Sequence, residues 1–370
     1  MFKKLLPLKS DPILGLVQKF NKDPKKYKLN LTVGELYYYE NNNKNLLDYQ
    51  FIMNKIDSYN TSLIHKTSKY LPITGCDQFI KNSEKFIFGN NNNRNGIQTL
   101  SGTGSLTIGN YITQLLDKNI YIPSSSWPNH FNIFNNYNKF SNINDLLNIP
   151  DNSIILFHTC CNNPTGIDYS KKQWNKIINI LKQKKHIAYF DSAYIGLVTG
   201  DNNLDSLPIR ELENYNIPYI VSTSYAKNFG LYGQRIGSLF YNFNDKEFNT
   251  ILNQYITKFI RSTYSNPPRA GAEMASYLME NEIYMCKWRH LLKEVINQQT
   301  KIRLKLDKNL GWNTMNKNGL FFMSPISKQN IIKLREKNGI YMLENGRINI
   351  SGLDESNIDY FIENINNLSS

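Results

Sequence analysis

Only 4 of the 370 residues are cysteine, too few for a disulfide framework in a chain of this length. Two of them, Cys160 and Cys161, are adjacent, and the expectation is a reduced, intracellular globular protein. Long apolar runs are absent and the mean hydropathy is −0.47, which excludes a membrane-spanning helix. Near the N-terminus Leu5, Leu6 and Leu8 are interrupted by Pro7, leaving too short a stretch for a signal-peptide core. No internal repeat is found. Acidic residues are in deficit, 30 against 43 Lys and Arg, for a net charge of +13. That balance suits nucleic acid, an acidic surface or anionic small molecules. The cations are scattered, however, and the densest cluster, Lys182-Gln183-Lys184-Lys185, reads as an exposed helix end. Neither nucleic acid nor a membrane is therefore expected as a partner. Asn41–Asn43 and Asn90–Asn93 read as loop padding.

What is present is an alternation of helical and strand-like segments. Gln173 to Lys182 carries apolar residues at helical spacing, as does Ile331 to Arg335 on a shorter scale. Between such segments lie short continuous apolar runs, Ser153 to Phe157, Ile187 to Phe190 and Pro218 to Ser222. Runs of this length between helices are the pattern of parallel strands buried on both faces. An α/β layer architecture follows, of a size for about two domains at roughly 150 residues each.

Each run leads into polar residues. The first reaches Cys161-Asn162-Asn163-Pro164-Thr165-Gly166, the second ends at Asp191, and the third reaches Ser224-Tyr225-Ala226-Lys227-Asn228. Ligands of open α/β sheets sit beyond the carboxyl ends of the strands, so Asn163, Asp191 and Lys227 are expected at one site. Singly, Asp191 reads as a helix N-cap, Lys227 as a surface lysine and Asn163 to Gly166 as an ordinary turn. Together they are an amine nucleophile, a carboxylate for a cationic ring nitrogen and an amide donor, the equipment of a pyridoxal phosphate enzyme. Such a cofactor needs a phosphate cradle. Ser101-Gly102-Thr103-Gly104-Ser105 precedes Leu106 to Leu116, which reads as a helix, and a helix N-terminus binds phosphate. Arg235 is placed to complete that contact.

The resemblance then becomes specific. Ser224-Tyr225-Ala226-Lys227-Asn228-Phe229-Gly230-Leu231-Tyr232-Gly233-Gln234-Arg235 resembles the lysine signature of the aspartate aminotransferases, fold type I. Asp11 to Leu16, Ser126-Trp127-Pro128-Asn129-His130, Tyr264-Ser265-Asn266-Pro267-Pro268 and Gly346-Arg347-Ile348-Asn349 follow the order of that family over nearly the whole chain.

The resemblance implies a large, mostly parallel-sheet cofactor domain over 43–295 and a smaller α/β domain from 1–42 and 296–370. It implies pyridoxal 5′-phosphate, with Lys227 as the Schiff-base lysine and proton carrier, Asp191 on the ring nitrogen, and Tyr194 and Asn163 on the ring's phenolic oxygen. Trp127 resembles the aromatic stacked on the ring, and His130 the partner of Asp191. Ser101, Gly102, Thr103, Ser224 and Arg235 resemble the phosphate ligands, joined by Tyr70 from a neighbouring subunit. Arg347 resembles the clamp on the substrate α-carboxylate and Arg261 the neighbour's arginine for a distal carboxylate, since a guanidinium binds a carboxylate through two parallel hydrogen bonds. Gly34 matches the glycine whose backbone lies against the substrate. A homodimer with shared active sites, dicarboxylate amino and oxo acids as substrates, ping-pong kinetics and a cytoplasmic location are implied, and no metal is expected.

The chain departs from the family at Asn162, where a histidine is common, at Ile195, where Gln is, and between His130 and Asp151. That stretch reads as too short, lacking a strand near Phe140-Ser141. Two competing expectations are an aromatic aminotransferase, which shares the constellation, and a non-catalytic binder of anions or nucleic acid.

Overall fold

The computed structural model describes residues 11–41, 43–56, 67, 69–92 and 94–368. Leu5 to Leu8, Asn42 and Asn93 lie outside them. Its centre is a seven-stranded sheet in the order Asn95–Leu100, Ile236–Asn242, Tyr219–Ser224, Ile187–Ser192, Ile154–His158, Ile120–Pro123, Tyr137–Phe140. Only Ile236–Asn242 runs antiparallel to its neighbours; the remaining pairs are parallel. The three apolar runs are thus adjacent central strands. Their residues are buried throughout and alternate between two cores. Ile154, Leu156, Ile187, Tyr189 and Ile220 face one, while Ile155, Phe157, Ala188, Phe190 and Val221 face the other.

Helices cover both faces. Lys171–Gln183 starts at a Ser170–Gln173 capping box, so the helix read from Gln173 extends two residues earlier and one later. Lys182-Gln183-Lys184-Lys185 forms its exposed end, with Lys184 paired to Asp151 at 2.8 Å.

Two expectations are corrected. The helix placed from Leu106 begins at Ser101 and runs to Leu115. Ser-Gly-Thr-Gly-Ser has weak helix propensity, but small residues let this turn lie on the sheet. A Cβ on Gly237 would meet the Ser101 carbonyl carbon at 2.6 Å, and one on Gly109 would meet the Tyr189 hydroxyl at 1.7 Å. The strand thought missing near Phe140-Ser141 is present as Tyr137–Phe140 on the sheet edge. It is short because Asn142 and Asp145 close a capping box directly after it and start the 3-10 turn Ile143–Leu147.

A third core joins the two ends of the chain. Leu29 and Leu31 pack with Ile302, Leu306, Phe322, Ile331, Ile340, Ile348 and Phe361, and Leu29–Asn30 pairs in parallel with Ile340–Tyr341. The helix Glu282–Leu310 spans this core and the sheet's: Trp288, Leu292 and Val295 belong to one and Ile302 and Leu306 to the other. Residues 295 and 296 lie within it. Among the described residues, no helix is long and apolar enough to cross a membrane.

Candidate active site

The carboxyl ends of the central strands open on a cavity of about 260 Å³. Lys227, Asp191, Tyr194, Asn163, Trp127, Ser101, Gly102, Thr103, Ser224, Arg235, Gly34 and Arg347 all line it. These residues come from widely separated stretches of chain, and the sheet brings them together. Asp191 pairs in register with His158 on one side and Ser222 on the other, so its carboxylate rises from the middle of the sheet.

The base of the cavity holds a buried acid. Asp191 is 6 % exposed and accepts through Oδ2 from His130 Nε2 at 3.0 Å, while His130 Nδ1 meets the Ser126 hydroxyl at 2.8 Å. Burial alone would raise the Asp191 carboxyl; the His130 hydrogen bond and charge, with the Lys227 charge, outweigh it and hold the group below the usual carboxylate range. His130, His158 and Asp191 offer atoms within 4.8 Å of one another, close enough to hold a metal ion.

Lys227 Nζ lies 5.1 Å from the centre of the Tyr194 ring. Burial pulls its ammonium below the ordinary lysine value; Asp191 opposes this, and Arg235 and Arg347 add to it. Burial and the Asp191 charge push the Tyr194 phenol up, so it keeps its proton at neutral pH. Asn163 Nδ2 reaches the Tyr194 hydroxyl at 3.5 Å.

Beside Asn163 stands Arg347, 2 % exposed. It donates from Nη1 to Asn163 Oδ1 at 3.2 Å and from Nη2 to the Thr32 carbonyl at 2.6 Å, with its guanidinium 4.3 Å from the centre of the Phe321 ring. Its Nε is buried with no protein partner. Burial draws its pKa down to about 10, leaving it charged at neutral pH. At Gly34 a Cβ would stand 3.0 Å from Phe321 Cζ, so a larger residue would press on that ring.

Around Ser101 the walls are tight. Its hydroxyl is 3.2 Å from that of Ser224, and a Cβ on Gly102 would meet Ser224 Cβ at 3.0 Å. Arg235 is exposed at the rim, with Nη1 on the Tyr232 carbonyl at 3.1 Å.

Tyr70 and Arg261 are not in this cavity. They line a separate open groove of about 940 Å³ with Tyr264, Ser265, Pro267 and Pro268. Tyr70 is 90 % exposed, and Arg261 donates to the Ser265 hydroxyl at 2.6 Å.

Residues unassigned from sequence also line or support the cavity. Phe321 lies within an apolar run whose pattern does not show which ring faces the site. Thr32 acts through its main-chain carbonyl, to which side-chain patterns are blind. Ile13 and Tyr232 are lining residues as well; both stand inside quoted motifs, the one signal that could have found them.

The sequence profile of aminotransferase class I and II matches residues 26–365. The mitochondrial aspartate aminotransferase of Gallus gallus is 31 % identical over 97 % of this chain and 92 % of its own. The chain belongs to the class I and II aminotransferases. Among solved members, the cytoplasmic aspartate aminotransferase of Saccharomyces cerevisiae superposes with a TM-score of 0.89 at 28 % identity, covering 99 % of this chain and 97 % of its own. An aromatic amino acid aminotransferase from Psychrobacter sp. B6, cocrystallised with aspartic acid, gives 0.89 at 26 % identity over the whole of both chains. The α/β architecture of this aminotransferase is that of fold type I.

Proposed function

We propose that this aminotransferase carries out reversible amino transfer from L-aspartate to 2-oxoglutarate, giving oxaloacetate and L-glutamate, with pyridoxal 5′-phosphate as cofactor. The observation that carries the reading is a half-buried lysine, a buried carboxylate and a buried arginine with an unused Nε donor, Lys227, Asp191 and Arg347, lining one cavity. The residues fit the cofactor: Asp191 faces the cavity while its His130 bond keeps it ionised, and Gly102 leaves room beside Ser224 that a Cβ would fill.

When bound, the cofactor supplies a carbonyl that exchanges amines and a protonated ring that takes up electron density. Asp191 holds the proton on the ring nitrogen. Tyr194 and Asn163 donate toward the phenolic oxygen, and Trp127 covers the ring. Ser101, Gly102, Thr103, Ser224 and Arg235 hold the phosphate. Arg347 fixes the substrate α-carboxylate, Gly34 letting the backbone close on it. Lys227, kept uncharged more easily by burial, would remove the Cα proton as general base and return it, as general acid, to the cofactor carbon on the far side of the nitrogen. One site then serves two substrates in turn.

The protein acts in this proposal as a homodimer in which Tyr70 and Arg261 reach the partner's site, Tyr70 to the phosphate and Arg261 to a distal carboxylate. Support comes from their sharing one open groove away from Lys227. Residues 43–295 form the cofactor domain, with 1–42 and 296–370 as the smaller domain. Relatives include both mitochondrial and cytoplasmic proteins; we place this one in the cytoplasm, which fractionation tests.

The test is the absorbance of cofactor-loaded protein on adding L-aspartate without an oxo acid. Conversion of the visible band to that of the amino form is expected. The second reading, an aromatic aminotransferase, draws on the Psychrobacter relative and on the apolar lining residues Ile13, Leu106 and Phe321. Conversion by phenylalanine or tyrosine alone would establish it.

A further inference from the structure

His158 ends its strand in register with Asp191 on the neighbouring one, so the two side chains rise from the same face of the sheet. The His158 and His130 rings are 5.3 Å apart, centre to centre. Both nitrogens of His130 are used, on Ser126 and Asp191. Those of His158 are not: Nδ1 lies 3.0 Å from Asn162 Nδ2, and Nε2 is buried without a protein partner.

The orientation of Asn162 follows from what it touches. Its Oδ1 accepts from the Thr165 main-chain N–H at 3.2 Å and from the Thr165 hydroxyl at 2.6 Å. A main-chain N–H can only donate, so the amide oxygen must face it and the amide NH₂ must face His158. That NH₂ has nothing to accept with, so His158 Nδ1 has to be the acceptor and carries no proton. In the neutral ring the proton then sits on Nε2. A charged ring would set Nδ1–H against the Asn162 donors.

We infer that Asn162 and His158 are positioning residues of the active site. Asn162 holds His158 as the neutral Nε2–H tautomer, a fixed donor beside the buried Asp191 carboxylate that favours its ionised form. Burial works in the same direction by pushing the His158 pKa down to about 4. Asn162 does not titrate, so the tautomer stays fixed through the neutral range. The titratable groups facing His158 are His130 from its short helix and Asp191 from the adjacent strand; Lys227 acts in turn on Asp191, and Asp191 on Tyr194. The tautomer follows from geometry alone. Its effect on Asp191 in catalysis rests on the proposed function.

The test is ¹⁵N NMR of histidine-labelled protein, with and without cofactor, His158→Phe assigning the ring among the five histidines. We expect Nε2 protonated and Nδ1 bare from about pH 5.5 to 8.5. Asn162→Asp keeps acceptors for Thr165 but turns a carboxylate oxygen to Nδ1, so it moves a proton onto Nδ1 and raises the ring's titration. It also identifies the His158 signal should His158→Phe not fold. With it, affinity for pyridoxal phosphate falls about tenfold or more. An Nδ1–H ring, a wild-type titration near the ordinary 6.5 or a ring indifferent to Asn162→Asp would overturn the tautomer assignment. A displaced tautomer with unchanged cofactor affinity would overturn the link to Asp191. Failure of aspartate to react with the unaltered protein would refute the proposed function, leaving the cofactor-free spectrum to judge the tautomer.

Discussion

Lys227 and Asp191 make opposite demands on one small cavity. The amine has to lose its charge easily and the carboxylate has to keep its own. Burial serves the first and opposes the second; Asp191 has His130 bonded to it, while Lys227 stands over the Tyr194 ring. Lys227→Ala should therefore lower aspartate turnover about a thousandfold or more while leaving the circular dichroism unchanged; near-normal turnover would remove Lys227 from the reaction. A second expectation concerns stability. In the unfolded chain His158 binds a proton near its ordinary 6.5, and in the folded protein only near 4. Between those values the folded state holds fewer protons, so stability present above pH 6.5 is lost as the pH falls toward 4, about 3 kcal/mol in all. Urea unfolding at neutral and acid pH should show a steeper acid loss for the wild type than for His158→Phe. At this scale the sequence is readable where a side chain does the chemistry at the end of an apolar run, as for Lys227, Asp191 and Asn163. It is opaque where the contributor is a carbonyl, as at Thr32, or an unpaired nitrogen, as at His158.

Elements were legible in proportion to their burial. The central strands show as apolar runs because both their faces are covered. The first turn of the helix Ser101–Leu115 does not, since its glycines and hydroxyls have the composition of a loop, and its close approach to Gly237 is a tertiary contact. That turn stands against Ser224, so Gly102→Val should weaken binding of pyridoxal phosphate, by about 1–3 kcal/mol from overpacking, with a smaller loss for Gly102→Ala. Equal cofactor affinity in all three would exclude a close approach there. Elsewhere an ion cluster ties elements together. Arg94 pairs with Glu84 at 2.7 Å on the helix Asp77–Phe88 and with Glu213 at 2.6 Å on the helix Leu207–Asn214, and both the Arg94 and Glu84 side chains are buried. Arg94→Leu leaves the buried Glu84 without its cation, with only main-chain N–H groups bonded to it, a loss of about 3 kcal/mol that denaturant unfolding would register. The asparagines around Arg94 read as padding, and nothing in that pattern announces a buried cation.

At the scale of the molecule, the residues assigned from the resemblance fall into two places. Lys227, Asp191 and Arg347 share the cavity at the strand ends, while Tyr70 and Arg261 share a separate groove. The resemblance to the family already assigns Tyr70 and Arg261 to a neighbouring subunit, and their place in a groove apart from Lys227 supports that assignment. If each groove completes the partner's cavity, subunits carrying Lys227→Ala and subunits carrying Arg261→Ala are each crippled alone. Mixed and reassembled, every hybrid dimer has one site with both defects and one with neither, because the intact Lys227 meets the other subunit's intact Arg261. Random pairing makes half the dimers hybrids, so dicarboxylate turnover should return to about a quarter of the wild-type value. Activity that stays at the level of the two separate variants, in a mixture shown to contain hybrids, would mean that each Arg261 serves its own chain or none.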